Sequence, residues 1–410
     1  MNKKTNPIMI IESLRAGIPT HQSIRETRDL RPDILTKVEK DLTNITEGNT
    51  TLGKIIWGEY GQGKTHSLKQ IETLAKEKNF AVSYLSVSRE LQFANIYSLF
   101  ERLTGCITTP GTHIPGLLNH FVKKGLHSAD FVLQTRTELI HPLPAYLFYC
   151  LGLVSSQDDL LVLYNCLCGS TKHVTAAKKI LKNHDRKLYK EITSFRVSKH
   201  KEAFVQFFPK ILAYLGFNGW VILLDEMELI GRLGKVSRMK SYLNLIQLLN
   251  WGANKEPSIY TLCGCAKTLQ EDVFFDKRRN DSEKMAEFAA ERGMKDAVQP
   301  LRKFFIQAVK EYKIDLYPVK YEMLLTVLKT IYDNYLDVFV WQNAPSFDQI
   351  IQSPVMKKFI QNRIREVIRS FIEYLDTLRL YGFVDDIELD VHNEEYNLNE
   401  QDEEISSEDE

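Results

Sequence analysis

The segment Gly58-Glu-Tyr-Gly-Gln-Gly-Lys-Thr65 constrains the fold more than any other part of the chain. Gly58, Gly63, Lys64 and Thr65 fill every fixed position of the pattern G-x-x-x-x-G-K-[ST]. An apolar run, Lys54-Ile-Ile-Trp57, leads into it and reads as a short buried strand. From His66 onward, Leu68, Ile71, Leu74 and Ala75 share one helical face. Strand, glycine loop and helix in that order form an anion cradle. Glycines let consecutive backbone N–H groups curl around phosphate oxygens at a helix N-terminus that already favours negative charge. The whole stretch Gly58, Glu59, Tyr60, Gly61, Gln62, Gly63, Lys64, Thr65 and His66 is therefore the expected nucleotide contact. Lys64 would reach the β and γ phosphates, and the Thr65 hydroxyl would hold Mg²⁺.

A nucleotide hydrolase also needs a carboxylate for the metal and a base for water. Gly219-Trp-Val-Ile-Leu-Leu224 is six residues without a charge, as in a strand buried on both faces of a parallel sheet. Asp225-Glu226-Met227-Glu228 follows at its C-terminal end, where open α/β sheets place their ligands. Asp225 is the expected Mg²⁺ carboxylate and Glu226 the group that polarises the attacking water. Glu228 falls near the same edge.

Net charge is zero, with 53 basic and 53 acidic residues, but the distribution is uneven. Residues 385–410 hold thirteen Asp and Glu and no Lys or Arg, leaving 53 basic against 40 acidic residues over 1–384. A basic body suits an anionic partner such as DNA. The tail reads as a solvated, disordered segment. No apolar run reaches the length of a bilayer span and the N-terminus lacks a signal-peptide core, so a cytoplasmic protein is expected. Six cysteines, Cys106, Cys150, Cys166, Cys168, Cys263 and Cys265, include two C-x-C pairs that miss the usual zinc spacing. They read as buried thiols.

The expected organisation has four parts: N-terminal helices over 1–48, a nucleotide-binding core over 49–297, a helical lid-like domain over 298–384 and the acidic tail over 385–410. Inside the core, 106–205 is too long for a connection and reads as a helical insert. Its part 172–201 is strongly basic, with Lys178, Lys179, Lys182, Arg186, Lys187 and Lys190. That is either a solvated helix face or a DNA-binding surface, with Lys277-Arg278-Arg279 as a second basic candidate. Ser258 to Cys263 reads as a strand, 270–297 as charged loop, and 300–384 as helical. Cys265 and Thr268 are the polar groups available near the end of the 258–263 strand to sense a γ-phosphate. Arg238, Arg363, Arg365 and Arg369 are candidates for an arginine that completes the site.

Several of these segments together resemble the BrxD family, ATP-binding proteins of bacteriophage-exclusion (BREX) systems. The resemblance lies in Leu14-Arg-Ala-Gly-Ile-Pro19, in Gly58-Glu-Tyr-Gly61 with Gly63-Lys-Thr-His66, in the segments around His141-Pro142 and Leu167-Cys-Gly169, in Asp225-Glu226-x-Glu228, and in Arg238 with Tyr242-x-Asn244-Leu245. It spans about 10–270 in good order, and 300–380 more loosely. The strand ending near Cys265 departs from it by lacking Gly-Thr-Pro. The resemblance implies an α/β P-loop fold of the ASCE/AAA+ initiator-like branch. It implies ATP and Mg²⁺ as cofactors, and a motor or switch in anti-phage defence that works with a helicase-like partner or another defence protein and with DNA. It also implies an oligomer, at least when ATP is bound. Two other functions compete: a nucleotide-dependent scaffold that recruits an effector, and a transposition-type AAA+ regulator that assembles on DNA.

Overall fold

A computed structural model describes residues 7–17, 30–88, 93–125, 128–254, 258–360 and 362–382, with single residues 20, 23 and 91. The acidic segment 385–410 lies outside the described residues. Six strands form one sheet in the order β3-β2-β4-β5-β1-β6. They are β1 (Lys54–Gly58), β2 (Ala81–Ser86), β3 (Ile107–Thr108), β4 (Trp220–Asp225), β5 (Ile259–Ala266) and β6 (Lys313–Asp315). All pairings are parallel except β2 with the two-residue β3. The strand carrying the glycine loop and the strand carrying the acid pair are thus separated by one strand, β5.

The sheet is buried on both faces, and strand alternation shows how. On one side, Ile55, Trp57, Trp220, Ile222, Leu224, Cys263 and Cys265 join the largest core. On the other, Ile56, Val221, Leu223, Tyr260 and Leu262 join a second core. That second face is covered by α2 (Pro32–Thr46) and α3 (Lys64–Glu77), whose Val38, Leu42, Leu68 and Ile71 recur at helical spacing.

After α4 (Ile96–Gly105) and β3, the expected insert appears as eight helices. These are α5 (Leu118–Gly125), α6 (Ala129–Thr135), α7 (Leu143–Leu151), α8 (Gln157–Leu167), α9 (Val174–His184), α10 (Arg186–Glu191), α11 (Val197–His200) and α12 (Glu202–Tyr214). Their apolar residues merge with the first core, so the insert is continuous with the sheet body. Helix α13 (Lys235–Asn254) follows the acid block.

Two readings of the C-terminal part are corrected. The stretch 270–297 is not a loop: a short helical turn, Gln270–Phe274, leads to α14 (Asp281–Glu291), which buries Met285, Ala286 and Ala289. The stretch 300–384 is not wholly helical. After α15 (Lys295–Lys310), β6 pairs with β1 (Ile56 opposite Ile314) and closes the sheet edge. The remaining helices, α16 (Tyr321–Val338), α17 (Phe347–Gln352), α18 (Pro354–Phe359) and α19 (Ile364–Tyr381), enclose a third core. Helix α1 (Pro7–Arg15) packs there through Ile10, Ile11 and Leu14, while α2 packs on the sheet. The N-terminal helices therefore serve two different cores. Among the described residues, no helix is long and apolar enough to cross a membrane.

Candidate functional site

The glycine loop turns because two of its glycines adopt positive φ, +75° at Gly61 and +92° at Gly63. Side chains rarely enter that region, so glycine is the residue the turn requires. Gly63 caps the N-terminus of α3. Lys64 is 8% exposed, and its Nζ donates to the carbonyls of Gly58 at 3.2 Å and Glu59 at 3.1 Å. It also lies 4.9 Å from the centre of the Tyr60 ring. Gln62 Oε1 accepts from the Glu59 N–H at 2.8 Å and closes the turn from within. Arg31, which no sequence pattern singles out, ties the loop to its surroundings. It donates to the Gln62 carbonyl at 3.0 Å and to the Tyr317 carbonyl just past β6. Burial lowers the pKa of this guanidinium.

The acid pair stands across β5 from the loop. A Cβ built on Gly264 would lie 3.0 Å from Asp225 Oδ1 and 3.6 Å from Lys64 Cβ. The central strand is therefore bare where the carboxylate of β4 and the lysine of α3 converge. Asp225 is 3% exposed; its Oδ2 accepts from the Tyr84 hydroxyl at 2.7 Å and its Oδ1 from the Glu226 N–H at 3.0 Å. Glu226 has φ +58°, an uncommon backbone state for a residue with a side chain. Its Oε2 accepts from Ser86 Oγ at 3.0 Å. Glu228 is buried and accepts from the Ala266 N–H at 3.0 Å. Burial pushes its carboxyl above the usual range, opposed by the nearby Lys64.

The remaining candidates separate. Arg363 reaches the loop: a Cβ on Gly61 would lie 3.2 Å from Arg363 Cδ. Arg365 and Arg369 lie beside Gly17 instead, their Cδ atoms 3.6 and 3.7 Å from where its Cβ would be. Arg238 is a correction. It is buried in an ion pair with Asp281, Nε to Oδ2 at 2.6 Å and Nη2 to Oδ1 at 3.2 Å, and Tyr242 donates to the same Oδ2 at 2.7 Å. A guanidinium held that way inside the fold cannot complete a site from outside. Cys265 is corrected too. It faces the core opposite Gly264, and burial raises its thiol pKa well above the ordinary value. Beyond β5 stand the half-buried Thr268 and Lys267, the latter 3.8 Å from Glu59.

In the insert, Lys179, Lys182, Arg186, Lys187 and Lys190 are exposed on α9 and α10, while Lys178 is half-buried against Phe195. All six cysteines are free thiols, and only Cys106 is not fully buried.

The site residues fit a Mg–nucleotide. A glycine cradle opens at a helix N-terminus, a lysine lies within it, and a buried carboxylate converges on that lysine. Residues 3–131 and 167–393 match the family model described as BREX system ATP-binding protein BrxC/D. No curated protein and no solved structure matches the chain significantly.

Proposed function

The chain belongs to the BREX system ATP-binding protein BrxC/D family, and we propose that this ATP-binding protein of anti-phage defence hydrolyses its nucleotide with Mg²⁺ as a motor or switch. The observation that carries the reading is the convergence of Lys64 and Asp225 over the bare Gly264. The backbone N–H groups of Gly58 to Thr65 bind the phosphates, and Lys64 leaves its loop carbonyls to neutralise their β/γ oxygens. The Thr65 hydroxyl and the Asp225 carboxylate would hold Mg²⁺, which would supply positive charge against the phosphate oxygens. Glu226 accepts the proton of the attacking water. Arg363, seated against Gly61 at the start of α19, brings a cation from the C-terminal helices to the phosphates, as an arginine of this kind does in phosphoryl transfer. Such a bridge makes the third core a lid on the P-loop sheet, in the manner of AAA+ proteins.

The exposed lysines of α9 and α10 support DNA as the anionic partner, and a helicase-like defence protein and self-assembly on ATP complete the proposal. A scaffold that hydrolyses slowly and recruits an effector is the second reading. It is favoured by the burial of Cys265, which removes one of the two candidate γ-phosphate sensors.

ATP turnover measured with and without Mg²⁺ and DNA tests the choice. The parent protein is expected to hydrolyse ATP only with Mg²⁺, and Glu226→Gln to bind ATP yet turn it over about 10²-fold or more slowly. Equal turnover by Glu226→Gln would remove Glu226 from the reaction. No turnover by the parent under any of these conditions would select the scaffold.

A further inference from the structure

Both oxygens of Asp225 are held, and the two donors come from different elements. Oδ1 takes the Glu226 N–H at 3.0 Å, from the residue that follows it. Oδ2 takes the Tyr84 hydroxyl at 2.7 Å, from the neighbouring strand β2, where Ser86 stands opposite Asp225. A hydroxyl donating to a carboxylate makes a charge-assisted bond, stronger and more directional than one between neutral groups. Together the two bonds fix the plane of the carboxylate.

Tyr84 is itself held. Lys69 Nζ lies 3.4 Å from the centre of the Tyr84 ring. The same ammonium pairs with Glu72 at 2.9 Å, and Lys76 pairs with the other Glu72 oxygen at 2.8 Å. Glu72 is 4% exposed, so this small charge ladder sits mostly under the surface, where it is firmer than a surface pair. Lys69, Glu72 and Lys76 all belong to α3, the helix whose first two residues are Lys64 and Thr65. One helix thus carries the phosphate lysine at its start and, one turn on, the lysine that clamps the tyrosine on Asp225.

We infer that Tyr84 is a positioning residue for the metal: held by Lys69, it orients the Asp225 carboxylate so that Mg²⁺ entering with the nucleotide meets a preset acceptor. The inference rests on Asp225 being the Mg²⁺ carboxylate. Groups that orient a metal ligand without touching the metal typically carry a 10- to 100-fold effect on metal affinity. Tyr84 has the geometry of such a group, and among the described residues no other element donates to Asp225 Oδ2.

The test is Mg²⁺-dependent tightening of a fluorescent ATP analogue, mant-ATP, titrated with MgCl₂ after an EDTA baseline. Tyr84→Phe keeps the ring beneath Lys69 and removes only the hydroxyl. We expect its half-saturating Mg²⁺ concentration to rise about 10-fold, with mant-ATP affinity in EDTA and the melting temperature unchanged. Lys69→Met, which frees the ring, should shift the Mg²⁺ curve in the same direction by less. A purely structural tyrosine would instead move the EDTA affinity or the melting temperature. Asp225→Asn is titrated in parallel. If it shifts the Mg²⁺ curve while Tyr84→Phe superimposes on the parent, the positioning role is wrong and the metal assignment stands. If Asp225→Asn also superimposes on the parent, the metal assignment fails and this inference fails with it.

Discussion

Charge is handled in opposite ways at the sheet edge and on the insert. Around the sheet edge the buried charged groups are answered individually. Lys64 has two loop carbonyls, Asp225 has Tyr84 and the Glu226 N–H, Glu228 has the Ala266 N–H, and Arg238 has Asp281. On α9 and α10, Lys179, Lys182, Arg186, Lys187 and Lys190 are exposed, and among the described residues they have no ion-pair partner. A buried charge is too costly to leave unanswered, so each one is fixed by geometry. An exposed cluster of one sign acts through its summed field. Single substitutions should therefore have large effects in the first region and small, accumulating ones in the second.

The largest expected effect is at Lys64. Lys64→Ala should weaken ATP binding roughly 100-fold or more, because the phosphate charge loses a preorganised donor. Isothermal titration of ATP into both proteins measures it, and matched affinities would break the contrast at its strongest point.

Next comes Arg238. Arg238→Met leaves Asp281 buried and unpaired, and removing one partner of a buried pair costs about 3–5 kcal/mol. Adding Asp281→Asn removes that stranded charge while keeping an acceptor for Tyr242, so the double variant should recover part of the loss. Urea denaturation of both variants checks this. A stable Arg238→Met protein would mean that Arg238 is available for other work.

On the insert, replacing one of Lys179, Lys182, Arg186, Lys187 or Lys190 by Ala should barely alter DNA affinity. Replacing all five should flatten the salt dependence, since every cation withdrawn from a DNA phosphate takes about 0.9 off the slope of log affinity against log salt. Deleting 385–410 should tighten DNA binding at low salt, with the gain fading once the Debye length falls below about 8 Å. Salt-titrated fluorescence anisotropy on a short duplex covers both. Identical slopes for parent and five-fold variant would make this face merely solvated.

The same contrast explains how much is legible in the sequence. The glycine loop and acid pair are local patterns, so spacing and an uncharged run suffice to find them. Arg238 lies close to the acid block in sequence, but its partner Asp281 is 43 residues away and only the folded chain brings them together. Strand parity is enough to remove Cys265: if Cys263 and Cys265 face one side of β5, Gly264 faces the other, which is where Asp225 and Lys64 meet. Two strands are beyond the reach of pattern. Ile107–Thr108 and Lys313–Asp315 are too short to carry a period, and they are strands only because β2 and β1 offer them edges. Helix α14 resembles a loop in sequence because two of its buried residues are alanines, Ala286 and Ala289, set among charges. Tyr84 lies on a legible strand, but its contact with Asp225 depends on cross-strand register.

The smallest effect concerns a histidine that obeys the sheet-edge rule although it sits in the insert. His141 is buried, its Nδ1 accepts from the Leu143 N–H at 3.1 Å, and its Nε2 lies 3.3 Å from Ser194 Oγ. A ring that accepts at Nδ1 must be neutral. Burial first, then His200 and Lys178, lower its pKa from 6.5 to about 4. The unfolded chain protonates this ring from about pH 6.5 downward while the folded protein resists until about pH 4. Protons therefore favour the unfolded state across that window, and His141 contributes a loss of stability as pH falls from 6.5 to 4 that levels off below. Asn at this position keeps an acceptor near the Leu143 N–H and does not titrate. The difference in melting temperature between His141→Asn and the parent should therefore shift in favour of the variant as pH is lowered through the window. A difference that stays constant from about pH 7 to 4 would mean that His141 titrates alike folded and unfolded, and that burial in the insert does not keep this ring neutral.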